Sequence, residues 1–75
     1  MVQAETFLRF LRKFSKNDQA GMEDRLFGDG LDMSSIAFTE MVMELEEECD
    51  IDIDIDDLDA SITTAGQLFE RLSKY

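Results

Sequence analysis

The sequence contains no histidine and no proline, and it has a single cysteine, Cys49, among its 75 residues. Without histidine there is no Ser–His or Cys–His pair that could activate a nucleophile. One cysteine cannot form a disulfide within the chain, and it cannot build a Cys/His zinc site. The sequence therefore predicts no catalytic residues and no metal site, and it argues against an autonomous enzyme.

Basic residues are also scarce, since seven Lys and Arg stand against eighteen Asp and Glu, for a formal net charge of −11. Such a charge repels phosphate backbones, so we expect no binding of nucleic acid. The charge is uneven: the first 20 residues hold four basic and two acidic side chains, whereas residues 21–75 hold three basic and sixteen acidic ones. An acidic surface of this kind attracts partners with basic surfaces.

Long apolar runs are absent, so no segment is expected to span a membrane. The first 16 residues, MVQAETFLRFLRKFSK, lack the apolar core and cleavage site of a secretory signal. Their bases and phenylalanines leave open an amphipathic targeting or membrane-surface helix. The commoner arrangement is a first helix, over about residues 3–15, that packs four apolar side chains inward: Phe7, Leu8, Leu11 and Phe14. We expect one domain over residues 1–75, monomeric and cytoplasmic.

Two further helices follow from the spacing of apolar residues. The second begins at Ser34 and Ser35 and runs to about residue 49. Serine is a common helix N-cap, so one of the two serines could serve simply to cap the helix. The last helix begins at Thr64, which has capping-box spacing to Gln67, and it turns Leu68 and Leu72 inward. The buried stripe of the second helix is predicted to contain Phe38, Met41, Val42, Leu45 and Cys49.

The connections are long and polar. The loop between the first two helices contains Gly28 and Gly30, which suit positions that need a positive φ. Residues 49–59 read CDIDIDIDDLD, and strict alternation of this kind is typical of a strand. A lone strand has no pairing partner in this chain, so an extended loop leading into a short helix is favoured. One isoleucine of this stretch is expected to anchor it to the core: Ile51, Ile53 or Ile55.

The same acidic stretch resembles the start of a calcium-binding EF-hand loop, with Asp50, Asp52 and Asp54 at alternate positions. The count then fails, because Ile55 stands where that loop needs glycine and Ser61 where it needs glutamate. Clustered carboxylates of this kind are expected to attract cations only weakly. The stretch therefore predicts no calcium site.

Opposite its buried stripe, the second helix carries three acids, Glu40, Glu44 and Glu47, with Ile36 and Met43 among them. These two apolar side chains are not needed for the core. Apolar anchors within a polar rim indicate a docking surface for a protein partner. Scattered hydrophobic residues on a solvated helix face are the alternative, and the helix by itself does not decide between them.

The order of these features resembles the acyl carrier proteins. Their pattern runs from a Phe to Leu-Gly-x-Asp-Ser-Leu and then to a helix that ends in Leu-Glu-Glu-Glu-Phe. The stretch MELEEECDIDI lies at the matching distance, and ASITTAGQLFERL resembles the family's Ile-Thr-Thr segment and last helix. The resemblance covers residues 27–72 and implies an all-α, small four-helix bundle with a long first loop and a short third helix. The matching residues ahead of the second helix are Phe27, Leu31, Ser35 and Ile36.

The resemblance also gives the two serines different roles. It implies that Ser35 receives 4′-phosphopantetheine from coenzyme A through a phosphopantetheinyl transferase, while Ser34 takes the place of the family's aspartate. The arm would then carry acyl groups as thioesters to acyl-loading and condensing enzymes with basic docking surfaces. A phosphodiester at a helix N-terminus also suits the positive end of the helix dipole. Cys49 lies on the buried stripe and is expected to belong to the core.

Several residues depart from the family pattern. Asp32 replaces a glycine, and Ser34 and Ala37 replace acids. These departures favour a specialised carrier, for example in polyketide biosynthesis, over the housekeeping fatty-acid carrier, and they leave open weaker recognition by a transferase. Phe38, one turn after Ser35 on the core side, is expected to fill the cavity in which the family buries acyl chains. The alternative function is a small acidic protein-interaction domain without a prosthetic group.

Overall fold

Three α-helices and one 3-10 turn make up the regular structure of residues 2–75, which are the residues that the computed structural model describes. They are α1 (Ala4–Ser15), α2 (Ser35–Cys49) and α3 (Ala65–Leu72), with the 3-10 turn at Ile55–Asp57. The helices pack with α1 against both α2 and α3. The all-α prediction is confirmed, but the predicted fourth helix is not, because the expected short third helix is only a 3-10 turn.

Helix α1 buries Phe7, Phe10 and Leu11. The predicted inward side chains of Leu8 and Phe14 are only half-buried, at the edge of the core, whereas Phe10 was not predicted to be buried. Phe14 lies in the last turn of α1, and its ring is only partly covered. The apolar spacing therefore gave the correct helix and a partly incorrect set of buried side chains.

Helix α2 begins where the two serines predicted it. The side-chain oxygen of Ser34 accepts a hydrogen bond from the Ala37 N–H at 3.0 Å, which makes Ser34 the N-cap and Ser35 the first helical residue. Met41, Val42 and Leu45 are buried in the core. Two other members of the predicted stripe, Phe38 and Cys49, are half-buried and pack against the core from its border.

Helix α3 begins with the predicted capping box. The Gln67 N–H donates to the Thr64 hydroxyl oxygen at 3.2 Å, and the Gln67 side-chain oxygen accepts from the Thr64 N–H at 3.1 Å. Two backbone N–H donors at this helix start are therefore satisfied within the sequence motif itself. Leu68 and Leu72 are fully buried, as their spacing predicted.

The long first loop is bonded to the start of α3. The Leu26 N–H donates to the Thr63 carbonyl at 3.0 Å, and the Ala65 N–H donates to the Asp24 carbonyl at 2.9 Å. These bonds satisfy backbone groups that neither helix nor sheet would otherwise pair. The loop is therefore fixed against α3, and through it the start of α2 is fixed as well.

The backbone of this loop requires glycine at two positions, for different reasons. Gly28 has the predicted positive φ of 70°, whereas Gly30 does not need one. Gly30 is instead required by close packing, because a Cβ atom there would lie 2.2 Å from the Arg25 carbonyl oxygen. Asp32, which replaces the family's glycine, adopts a left-handed conformation with φ of 51°.

The acidic stretch after α2 is an extended loop that leads into the 3-10 turn. Ile53 is its anchor, since it is buried in the core, whereas Ile55 is 59% exposed. The Ile53 N–H donates to the Glu46 carboxylate at 2.8 Å, which ties the loop back to α2. The alternation of Ile and Asp buries at most one face of an extended chain, so it provides no apolar stripe at helical spacing for a longer helix.

Side chains at and after the end of α3 hold the 3-10 turn in place. Tyr75 donates its hydroxyl hydrogen to the Asp57 carboxylate and accepts a hydrogen bond from the Asp54 N–H at 3.1 Å. Lys74 Nζ lies 3.1 Å from the same carboxylate, and Arg71 donates to the Asp57 carbonyl at 2.7 Å. We call these contacts, among Asp54, Asp57, Arg71, Lys74 and Tyr75, the α3 clasp.

Candidate functional site

Ser35 lies exposed at the first position of α2. Within residues 2–75, the N–H groups of Ser35 and Ile36 find no acceptor, because the Ser34 cap satisfies the later N–H of Ala37. The first turn of α2 contains no acidic residue, because Ala37 stands where many family members have one. An anion attached to Ser35 would therefore meet two free donors, the positive helix end and no nearby carboxylate from that turn.

A shallow groove of about 240 Å³ runs beside the serine and is lined by Ser35, Ile36, Thr39 and Glu40. The Thr39 hydroxyl donates to the Ser35 carbonyl at 2.8 Å, so it is already engaged within the helix. Thr39 was not predicted from the sequence. Its spacing of four residues from Ser35, one helical turn, was the signal that could have located it.

Four of the five predicted docking residues share one outward face of α2. Ile36 is 71% exposed and Met43 is 58% exposed, while Glu40 and Glu47 are both exposed beside them. Helical geometry places these four residues within about 60° of arc. We call this surface, formed by Ile36, Glu40, Met43 and Glu47, the outward face of α2.

Glu44 belongs to a different neighbourhood from the other four. Its carboxylate lies 3.3 Å from Lys13 Nζ, and one turn further along α2 Glu48 lies 3.3 Å from Arg9 Nη2. Glu44 therefore lies at the border between the outward face of α2 and helix α1. The sequence alone grouped Glu44 with the other acids because it does not reveal which way the bases of α1 point.

Three bases of α1 each contact another part of the protein, although the side chains of Arg9 and Lys13 remain 64% and 62% exposed. Besides the pairs formed by Arg9 and Lys13, the Arg12 Nε donates to the Ala20 carbonyl at 2.9 Å. The hydrogen bond of Arg12 ties the end of α1 to the first loop, whereas the exposed ion pairs of Arg9 and Lys13 contribute little to stability. In residues 2–75, no helix has both the length and the apolar character needed to cross a bilayer.

An aromatic pair lies one turn below the serine. The rings of Phe27 and Phe38 are 5.4 Å apart between centroids, at an interplanar angle of 53°. Phe38 is half-buried and packs against the core. In the sequence Phe27 is recognisable only as part of the family pattern, and its contact with Phe38 was not predicted.

Comparison with known proteins yields one match. A family model described as "Phosphopantetheine attachment site" matches residues 7–72, which include α2 with its serines, the acidic stretch and α3. Comparisons with curated proteins and with solved structures gave no significant match. Domains of this family hold 4′-phosphopantetheine covalently and are generally not enzymes themselves. Because the match spans nearly the whole chain, this protein belongs to the phosphopantetheine-attachment family, a carrier of the kind that the resemblance to acyl carrier proteins predicted.

Proposed function

We propose that this protein is an acyl carrier that holds acyl intermediates as thioesters on a 4′-phosphopantetheine arm attached to Ser35. The observation that carries the proposal is the position of Ser35 within the family match, exposed at the start of α2 beside free N–H groups. Fatty-acid biosynthesis or a specialised polyketide-type pathway is the proposed setting. The altered residues Asp32, Ser34 and Ala37 favour the specialised one.

Loading of the arm is proposed to require a transferase, because the chain contains no histidine that could act as the general base for Ser35. The Ser35 hydroxyl oxygen attacks the phosphorus of coenzyme A that bears the pantetheine. A new P–O bond forms, the P–O bond within the diphosphate breaks, and the adenosine bisphosphate half leaves. The hydroxyl proton passes to a base of the transferase. The arm then ends in a thiol, which forms the thioester with the acyl group.

Partner enzymes are proposed to bind the outward face of α2. Glu40 and Glu47 would attract a basic surface, while Ile36 and Met43 would supply the apolar contact. Glu44 is proposed to contribute less to partner binding than an unpaired carboxylate would, because Lys13 already pairs with it. The transferase, the acyl-loading enzymes and the condensing enzymes are proposed to share this face.

The intact mass of the protein tests the attachment. After incubation with a phosphopantetheinyl transferase and coenzyme A, the parent should gain the mass of one phosphopantetheine. Ser35→Ala should gain nothing, whereas Ser34→Ala, the matched control, should still gain the arm at an equal or reduced rate. A Ser35→Ala protein that gains the arm would overturn the assignment. A parent that gains no mass with several transferases would favour the interaction domain without a prosthetic group.

A further inference from the structure

A second and larger cleft, of about 390 Å³, lies between loop residues Arg25 and Phe27 and the segment 59–63 that precedes α3. Its two walls are joined by the hydrogen bond from the Leu26 N–H to the Thr63 carbonyl, at 3.0 Å. The volume falls within the range of small-molecule sites in proteins. The cleft is thus of suitable size for a small ligand, and the backbone fixes its two walls relative to each other.

The cleft wall combines apolar surface with polar groups that are already engaged. Phe27, which is 41% exposed, supplies apolar surface together with Ala60 and Ile62. The Asp59 carboxylate accepts hydrogen bonds from the N–H and the hydroxyl group of Ser61 and lies 3.7 Å from Arg71 Nη1. The remaining polar side chain of that segment, Thr63, donates its hydroxyl hydrogen to Gln67 at 2.8 Å.

Among the residues that line the cleft, Arg25 has side-chain hydrogen-bond donors that the fold does not use. Its guanidinium has one ionic neighbour, Asp29, at 3.9 Å, and the two side chains are 69% and 87% exposed. An exposed pair at this distance contributes little. Within residues 2–75, the Arg25 side chain donates no hydrogen bond. A carboxylate entering the cleft would therefore find a cation whose donors are not committed to another group.

The cleft is also close to the attachment residue. Its Phe27 ring lies 5.4 Å from the ring of Phe38, and Phe38 follows Ser35 by three residues along α2. One turn of helix rises about 5.4 Å, and a phosphopantetheine arm is several times longer. Phe38 packs against the core beneath Ser35, and its partner ring Phe27 lines the cleft, so the arm can reach the cleft along this side of the protein.

We propose that this cleft receives the acyl group on the arm and favours short acyl groups with an apolar body and a distal carboxylate. The inference rests on the proposed attachment at Ser35. The carbons of the acyl group contact Phe27 and Ile62, and the carboxylate pairs with the Arg25 guanidinium. A neutral chain of equal length gains the apolar contact alone.

A matched pair of acyl groups tests the charge preference. The full-length protein is loaded by a transferase with the bare arm, with a pentanoyl arm and with a glutaryl arm, and each product is verified by intact mass. Glutaryl and pentanoyl have the same number of carbons and differ in the distal carboxylate. NMR then follows the methyl groups of Ala60 and Ile62 and the Arg25 Nε–Hε signal. Arg25→Gln is the test variant, and Arg9→Gln, which removes a base from α1, is its control.

We expect glutaryl to shift all three signals more than pentanoyl does. The ratio of acyl groups bound in the cleft to acyl groups in solvent should be about two- to fivefold higher for glutaryl, as for a partly exposed ion pair. Arg25→Gln should remove this advantage, and Arg9→Gln should keep it. Equal shifts for the two acyl groups, or shifts already complete with the bare arm, would overturn the inference and leave the carrier function standing. A parent without mass gain would overturn both.

Discussion

Lys13 of α1 lies 3.3 Å from Glu44 of α2, and this ion pair joins the short basic segment of the chain to its acidic helix. The contact offsets part of the negative charge that Glu44 would otherwise present to a partner. It also means that the outward face of α2 has less free negative charge than the sequence indicates. The remaining acids of that face, Glu40 and Glu47, form no ion pair within residues 2–75.

Charge reversal on the outward face of α2 should slow docking. Glu47→Lys should lower the association rate with a phosphopantetheinyl transferase several-fold at low salt, because the charge that steers a basic partner is inverted. The difference from the parent should shrink as salt rises, since exposed charges are screened within about 8 Å at physiological ionic strength. Stopped-flow association measured across a series of salt concentrations gives both quantities.

Glu23→Lys is the matched control, because Glu23 is an exposed acid of the first loop and the change in net charge is the same. Equal slowing by both variants would mean that net charge alone matters and that the outward face of α2 has no special role.

Adding Glu44→Lys to Glu47→Lys should impair transfer further without unfolding the domain. The added change should lower stability by at most about 1 kcal/mol, since it replaces an exposed ion pair by two facing cations.

Ser34→Ala and Ser35→Ala should differ in their effect on stability as well as in their effect on loading of the arm. Ser34→Ala removes the oxygen that accepts the Ala37 N–H at 3.0 Å, so it should lower the free energy of unfolding by about 1 kcal/mol. Ser35→Ala removes an exposed hydroxyl and should change stability by less than about 0.5 kcal/mol. Urea unfolding of the apo proteins measures both. An equal loss in the two variants would contradict the assignment of Ser34 as the cap.

Asp32 should behave as a position that prefers glycine. Its φ of 51° is unfavourable for residues with a Cβ, although aspartate tolerates it better than most. Asp32→Gly should leave stability unchanged or raise it by up to about 1 kcal/mol, whereas Asp32→Val should lower it by about 1–2 kcal/mol. The same substitutions at Asp29, which lacks a positive φ, serve as controls in thermal unfolding. A valine tolerated equally at both positions would refute the conformational argument.

Removal of the Phe38 ring should open space beneath Ser35. Because Phe38 is half-buried, Phe38→Ala should lower stability by about 1–3 kcal/mol, less than the 3–5 kcal/mol of a fully buried ring. An octanoyl group on the arm should then shift core methyl signals, such as those of Val42 and Leu45, more strongly than in the parent. Phe27→Ala, which removes the more exposed ring of the pair, is the control. Equally large core shifts in the parent would show that Phe38 does not block the cavity.

The contribution of the α3 clasp to stability should fall both at low pH, through Asp57, and at high pH, through Tyr75. Hydrogen bonds from Tyr75 and Lys74 lower the pKa of Asp57, so its contribution is present above the unfolded pKa and is lost as pH falls below about 4. The hydrogen bond to Asp57 raises the pKa of Tyr75, so that contribution is present below about pH 10 and is lost as pH rises further.

Tyr75→Phe removes the hydroxyl group that both contributions share. The parent should therefore be more stable than this variant at neutral pH, and the difference should narrow at either extreme in urea unfolding. Asp56→Asn, which changes a neighbouring carboxylate that does not contact Tyr75, should leave the difference between parent and Tyr75→Phe intact. A constant difference from acid to alkaline pH would exclude the titration of this pair as its cause.

The starts of the helices were predictable because they depend on local chemistry. Ser34 caps α2 and Thr64 caps α3 through bonds to residues three positions ahead, and this spacing is visible in the sequence. Ser35 and the outward position of Ile36 and Met43 follow from the same helix register. Pattern and spacing therefore gave most of α2, which is the helix that carries the candidate site.

Features that depend on contacts between distant segments were not predictable. The pairing of Lys13 with Glu44, the contact of Phe27 with Phe38 and the bond of Tyr75 to Asp57 each join residues far apart in the chain. No periodicity of a single helix encodes them. The same cause explains why the expected short third helix is only a 3-10 turn, since side chains of α2 and α3 bond to the backbone of that stretch.

The α3 clasp gives the protein a built-in optical probe. The chain contains one tyrosine and no tryptophan, so the near-ultraviolet absorbance and emission of the phenol come from Tyr75 alone. That phenol bonds to Asp57, in the stretch between the two helices that flank the acidic loop. Its spectrum can therefore report local opening of this stretch without any label, in apo, holo and acyl-loaded protein alike.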